Sequence, residues 1–174
     1  MTEIRRVQGE ELRALVTLYK ENFKDHNIFK HYEQHIMKYV QQKYTELRDN
    51  DGAIFIAVLN NEIIGGCMIE QKEITSDNHS RFDIRHLIVD KKFRNIGCGK
   101  NLVEESLKLV FDRINRKEIS SAKIEVSVIE GDAVPFYEKI GFKREGLLQD
   151  HYKLGESTII LGLTLKGGEH GKTS

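Results

Sequence analysis

Cys67 and Cys98 are the two cysteines of this 174-residue chain. They are too few for a disulfide framework, and neither has neighbours spaced like metal ligands, so stability has to come from a buried apolar core. An excess of one charge is missing too: 27 Lys plus Arg balance 27 Asp plus Glu, for a formal net charge of 0. With no global basic field, a nucleic-acid partner is not expected, and the clusters Lys91-Lys92 and Arg113 to Lys117 are too short and interrupted to make one. No apolar run approaches membrane-spanning length, and Met1-Thr2-Glu3-Ile4-Arg5-Arg6 lacks the apolar stretch of a signal peptide. The expectation is a cytoplasmic protein with reduced thiols, without membrane or metal. Internal repeats and linkers are absent as well. The length suits one domain, residues 1–166, followed by a polar, glycine-rich tail over 167–174 read as disordered.

What is present is an alternation of element types. Ile4 to Val7 reads as a strand, and Gly9 to Phe23 as an amphipathic helix through Leu12, Leu15, Val16 and Leu18. A second helix, His31 to Arg48, sets Tyr32, Ile36, Tyr39, Val40 and Tyr44 on one side and stops before the turn Asn50-Asp51-Gly52. Strands Ala53 to Leu59 and Glu62 to Glu70 flank a two-residue hairpin, Asn60-Asn61. A polar loop over Ser76 to Ser80 leads to strand Phe82 to Val89. After the next helix come strand Lys123 to Ile129, helix Asp132 to Ile140, and the pair Lys143 to Gln149 and Ser157 to Leu165. This order is that of a mixed α/β fold.

The most informative segment runs from Leu87, Ile88 and Val89 through Arg94, Asn95, Ile96, Gly97, Cys98, Gly99 and Lys100. An apolar strand enters a basic, glycine-spaced turn and then a helix whose buried face is Leu102, Val103, Leu107, Val110, Phe111 and Ile114, with Glu104, Glu105, Lys108, Asp112 and Arg113 opposite. Glycines allow a ligand to approach the backbone, and the first helical turn leaves N–H groups free for an anion. It is a phosphate cradle, but not a P-loop: one residue separates the glycines, and Asn101 follows Lys100 where Ser or Thr would be needed. Nor is it a dinucleotide fingerprint, since Leu102 stands where a third glycine belongs. The spelling Arg94-Asn95-Ile96-Gly97-Cys98-Gly99 resembles the acetyl-CoA signature of the GNAT N-acetyltransferase family. Downstream, Ala133-Val134-Pro135-Phe136-Tyr137-Glu138-Lys139-Ile140-Gly141-Phe142 is similar to that family's second motif. The resemblance spans roughly residues 53 to 165 and is nearest in motif to ribosomal-protein N-terminal alanine acetyltransferases.

The resemblance implies a central, mostly antiparallel sheet flanked by helices, acetyl-CoA as cosubstrate, and a primary amine as acceptor. Acetyl transfer to an amine needs a deprotonated amine, a stabilised oxyanion and a protonated leaving thiolate. Tyr137 matches the family's acid for the CoA sulfur; packing beside Phe136 and Phe142 is its plainer role. Glu125, counted back from Tyr137, matches the base of the alanine acetyltransferases and by alternation faces away from Ile124, Val126 and Val128. Asp83, paired with Arg85 or acting itself, is the rival base, and solvent-linked waters are the third route. At Glu130 the family usually carries an asparagine near the pantetheine arm. Glutamate offers no N–H, so that contact is lost, or Glu130 caps the helix at Asp132 or faces the amine.

Other features carry plainer readings. His31 and His35 are a solvated pair, His86 a satisfied imidazole, and Cys98 a small filler whose thiolate a helix N-terminus would favour. Asp150 to Glu156 resembles the acceptor loop of N-terminal acetyltransferases, with Tyr152 kept and His151 in the place of a second tyrosine; Tyr32, Glu33 and Tyr39 could complete a groove. The partner expected is therefore an amine acceptor, a peptide or protein N-terminus first and a polyamine, amino sugar or other small amine second, with a homodimer as the assembly admitted. A non-catalytic acyl-CoA sensor is the reading from another class, and a nucleotide switch is disfavoured by the absent Walker features.

Overall fold

The computed structural model describes residues 2–23, 28–49, 52–129 and 133–167. In chain order the elements are β1 (Glu3–Arg6), α1 (Leu12–Asn22), α2 (Glu33–Asp49), β2 (Ala53–Leu59), β3 (Glu62–Ile74), β4 (His79–Val89), α3 (Cys98–Asn115), β5 (Ser121–Ile129), α4 (Ala133–Ile140), β6 (Lys143–Gln149) and β7 (Ser157–Lys166), with 3-10 turns at Gly9–Glu11 and Lys91–Phe93. The element order is the expected one. The strands form a seven-stranded sheet in the order β1-β2-β3-β4-β5-β7-β6. The ladders β1–β2, β2–β3, β5–β7 and β6–β7 are antiparallel and β4–β5 is parallel. Of the expected features, Asn50 and Asp51 of the turn, Glu130, Asp132 and the tail over 168–174 lie outside the described residues.

The chain divides into two compact units, Met1–Glu70 with His86–Lys108, and Gln71–Arg85 with Leu109–Ser174. In the first, the unbroken apolar run of β2 is buried from Ala53 to Val58. The β2–β3 hairpin turns on Asn60 and Asn61, whose φ of 50° and 64° are the left-handed pair that a two-residue loop between right-twisted strands requires. Helix α1 buries Leu12, Leu15, Val16, Leu18 and Tyr19, and α2 buries Ile36, Val40 and Leu47. Close packing of α1 on β3 depends on Gly66, where a Cβ would come within 2.8 Å of the Leu15 Cδ1. Tyr32, expected on the apolar side of α2, instead precedes the helix and is 77% exposed.

In the second unit β5 alternates as expected, with Ile124, Val126 and Val128 buried and Glu125 half-buried. Two strand boundaries differ from expectation by three residues or more. β3 runs on to Ile74 and β4 begins at His79, closed by the Thr75 N–H donating to the His79 carbonyl at 2.8 Å and by Asn78 at φ 62°. Apart from the exposed Ile74 the added residues are polar, and of them only Ser80 is buried, so backbone pairing rather than apolar burial extends these strands. Arg113, expected on the polar side of α3, is buried: it donates to Gln71 Oε1 at 2.9 Å and Glu118 Oε2 at 3.1 Å and lies over the Phe82 ring. These partners neutralise and cover a charge that periodicity alone assigns to solvent.

Candidate active site

The cradle belongs to the first unit. β4 leads through Asp90, whose Oδ1 accepts the Lys92 N–H at 2.8 Å and so holds the 3-10 turn, into Arg94 to Gly97 and then α3. Asn95 at φ 66° and Gly97 at φ 84° are both left-handed, a backbone form that gathers N–H groups into an anion-binding concavity. Asn101 donates to the Gly97 carbonyl at 3.0 Å, closing the first turn of α3 and leaving the N–H groups of Cys98, Gly99 and Lys100 without intrahelical acceptors. A Cβ built on Gly97 meets no protein atom within 4 Å. So glycine at 97 answers the left-handed backbone and an open outer face rather than crowding within the chain. Arg94 is exposed and its Nε donates to the Val89 carbonyl at 3.2 Å, tying its stem back to β4. Lys100 has a surface ion pair with Glu104 at 3.5 Å. A pyrophosphate fits this set of free N–H groups, cations and a side-chain-free position.

Cys98 is 2% exposed, and burial pushes its thiol up to about 11, so the activated thiolate suggested by the helix terminus is not formed. Cys67 is buried beside Ser106, with its thiol pushed up to about 12 by burial. His86, mid-strand in β4 but at φ 52°, has its Nε2 2.7 Å from the Tyr39 hydroxyl and is ringed by Phe29 at 4.9 Å and Tyr19 at 6.1 Å. That left-handed residue interrupts the pleat just before Leu87, Ile88 and Val89.

The second unit carries the proposed acid and both proposed bases. Asp83 and Glu125 are direct rung partners on β4 and β5, which puts both carboxylates on one sheet face. The β4–β5 ladder ends one rung later, at Ile84 and Val126. Both acids have cations beside them: Arg85 at 3.3 Å and Lys72 at 4.0 Å for Asp83, and Arg81 at 3.7 Å for Glu125, with Arg81 also 3.3 Å from Glu73. Glu125's partner on β7 is Gly162, and over that glycine sits the carboxylate of Glu145, paired with Lys123. Arg81, Glu73 and Glu145 are members of this charged face that sequence reasoning missed. Arg81 and Glu73 fell outside the expected strands, and only the pairing register across Gly162 could have indicated Glu145. Tyr137, on α4, is 4% exposed, edge-on to Phe136 at 4.9 Å and Phe142 at 5.5 Å. Tyr152 is half exposed beside His151 in a loop pinned by the Gly155 N–H donating to Asp150 Oδ1 at 2.6 Å. Among the described residues no cluster of His, Cys, Asp and Glu could hold a metal, and no helix is long and apolar enough to cross a membrane.

The helix N-terminal cradle beyond β4 lies in the first unit and the facing carboxylates of β4 and β5 in the second, on a mixed sheet whose β4–β5 ladder is parallel. The acetyltransferase (GNAT) domain profile matches residues 50–144, and the chain belongs to the GNAT family of acetyl-CoA-dependent N-acetyltransferases. It is 29% identical over 125 residues to an N-alpha-acetyltransferase of Sulfolobus acidocaldarius, covering 68% of this chain and 73% of that one. Its fold is shared with the ribosomal-protein-alanine N-acetyltransferase of Brucella melitensis at a TM-score of 0.70 and 15% identity, over 94% of this chain and 99% of that one. It is shared too with Arabidopsis thaliana Naa50, solved with the bisubstrate analogue CoA-Ac-MVNAL, at a TM-score of 0.67 and 20% identity over 93% and 97% of the chains.

Proposed function

We propose that this enzyme acetylates the α-amine of a peptide or protein N-terminus, working in the cytoplasm as one catalytic domain over residues 1–166. The observation that carries this reading is the N-alpha-acetyltransferase relationship extending along two thirds of the chain. Neither a membrane nor a nucleic acid takes part, and a homodimer is the assembly it admits. In this reading the N–H groups of Cys98, Gly99 and Lys100, with Arg94, hold the pyrophosphate of acetyl-CoA, and the backbone of Leu87 to Val89 lies along its pantetheine arm. Glu125 takes the proton of the incoming amine, directly or through a water, with Asp83 the alternative on the next strand. Tyr137 gives a proton to the departing sulfur, and its packed ring holds the phenol in one orientation. Tyr152 and His151 contact the acceptor peptide.

The test is a panel of peptides differing in their first residues, alongside spermidine and glucosamine, each incubated with the protein and acetyl-CoA while free thiol is followed. Turnover is expected on peptides and is abolished when their N-terminus is already blocked. Turnover confined to the small amines would replace the acceptor assignment, and thiol release from none of them would return the chain to a binding role.

A further inference from the structure

Glu125 stands between two other carboxylates on one sheet face of the second unit. Its rung partner on β4 is Asp83, and its rung partner on β7 is Gly162, over which the Glu145 carboxylate lies. Like charges on neighbouring strands repel, so the middle member of such a row is driven off the sheet unless a cation holds it. Both outer carboxylates have cations of their own: Arg85 at 3.3 Å and Lys72 at 4.0 Å for Asp83, and Lys123 for Glu145. For Glu125, among the described residues, that cation is Arg81, whose Nε lies 3.7 Å from Glu125 Oε2.

The register explains why Arg81 reaches it. Arg81 and Asp83 alternate onto the same face of β4, and Arg81 pairs across the ladder with Lys123, which leaves Glu125 on the diagonal, within range of a long side chain. The other end of the guanidinium, Nη1, is 3.3 Å from Glu73 Oε1, so the planar fork is held from both sides. Arg81 Nε is buried and donates no hydrogen bond, a costly state for an N–H group. The 3.7 Å to Glu125 is too long to satisfy it, and among the described residues the Glu125 carboxylate accepts no hydrogen bond, whereas Asp83 accepts one from Arg85 at 3.3 Å. Arg81 therefore attracts Glu125 without occupying its lone pairs, which stay open to a proton.

We propose that Arg81 is a positioning residue for acetyl transfer, holding the Glu125 carboxylate against the repulsion of Asp83 and Glu145 at the place where it meets the acceptor amine. This rests on the reading of Glu125 as the base. The test is steady-state kinetics at about pH 7 with acetyl-CoA and the acceptor that the amine panel shows to be turned over fastest, in Arg81→Gln, Glu125→Gln and the double variant. The Arg81 side chain is 43% exposed, so its replacement should not cost the fold. Arg81→Gln is expected to lower kcat by about tenfold or more, with the KM for acetyl-CoA within about twofold of the parent, because a displaced base slows the chemical step and leaves cofactor binding alone. In the Glu125→Gln background Arg81→Gln should cost nothing further, since its effect passes through that carboxylate. A parent-like Glu125→Gln removes the base reading and this proposal with it. An impaired Glu125→Gln beside a parent-like Arg81→Gln, or losses that multiply in the double variant, overturns the positioning role alone.

Discussion

Tyr137 shows how one side chain can serve packing and chemistry together. Its ring is buried against Phe136 and Phe142, so removing the whole side chain would open a cavity and confuse the two roles. Tyr137→Phe keeps the ring and deletes the proton. The melting temperature should stay near that of the parent while turnover falls by roughly 10² to 10⁴, and full activity in this variant removes the acid role. The base calls for a paired comparison, because Asp83 and Glu125 share a rung. A peptide α-amine titrates near pH 8, so loss of the true base should cost most below that pH and be partly recovered above it. That recovery is expected in Glu125→Gln. Seeing it in Asp83→Asn instead, with Glu125→Gln parallel to the parent, moves the base to β4.

At the level of elements, the turn between β4 and α3 separates two reasons for a glycine. At φ 84° a β-branched residue at 97 is strained by about 1–2 kcal/mol whatever surrounds it, while no protein atom obstructs the added Cβ. Gly97→Val should therefore lose both stability and more than about tenfold in CoA affinity. Gly97→Asn tolerates the left-handed backbone and should melt near the parent while still binding CoA weakly, because its Cβ occupies the ligand's side of the turn. Parent-like CoA affinity in Gly97→Asn would show that strain alone fixed the glycine. The glycine-spaced motif made this turn legible in the sequence, and the apolar runs did the same for β2, whose bounds match expectation at both ends. The outer halves of β3 and β4 were not legible, since Gln71 to Ile74 and His79 to Arg81 pair by backbone and fully bury only the small polar Ser80. Arg81, which contacts Glu125, was hidden by that shortfall, and Arg113 was hidden because its burial depends on Gln71, forty-odd residues away in sequence.

Across the whole molecule, neutrality leaves no net repulsion to drive acid unfolding near pH 7, so acid sensitivity rests on individual carboxylates. Those held below their ordinary values include two in each unit. In the first, Glu11 is lowered by the Arg5 hydrogen bonds, and Glu46 by Lys43 and then Gln42. In the second, Asp77 is lowered by the Thr75 hydroxyl, and Glu118 by Arg116 and then Arg113. A carboxylate depressed in the fold stabilises it fully above its unfolded value, here 4.5 for Glu11 and Glu118, and that contribution is lost as pH falls through the folded value. The melting temperature should therefore hold level from about pH 7 to 5 and fall below that. Glu11→Gln combined with Glu118→Gln cannot titrate at either site, so it should melt lower than the parent at neutral pH and converge on it in acid. Calorimetric melts across this range decide the matter: an offset between variant and parent that stays constant at every pH would mean the two carboxylates act through shape and hydrogen bonding, with their charge contributing nothing.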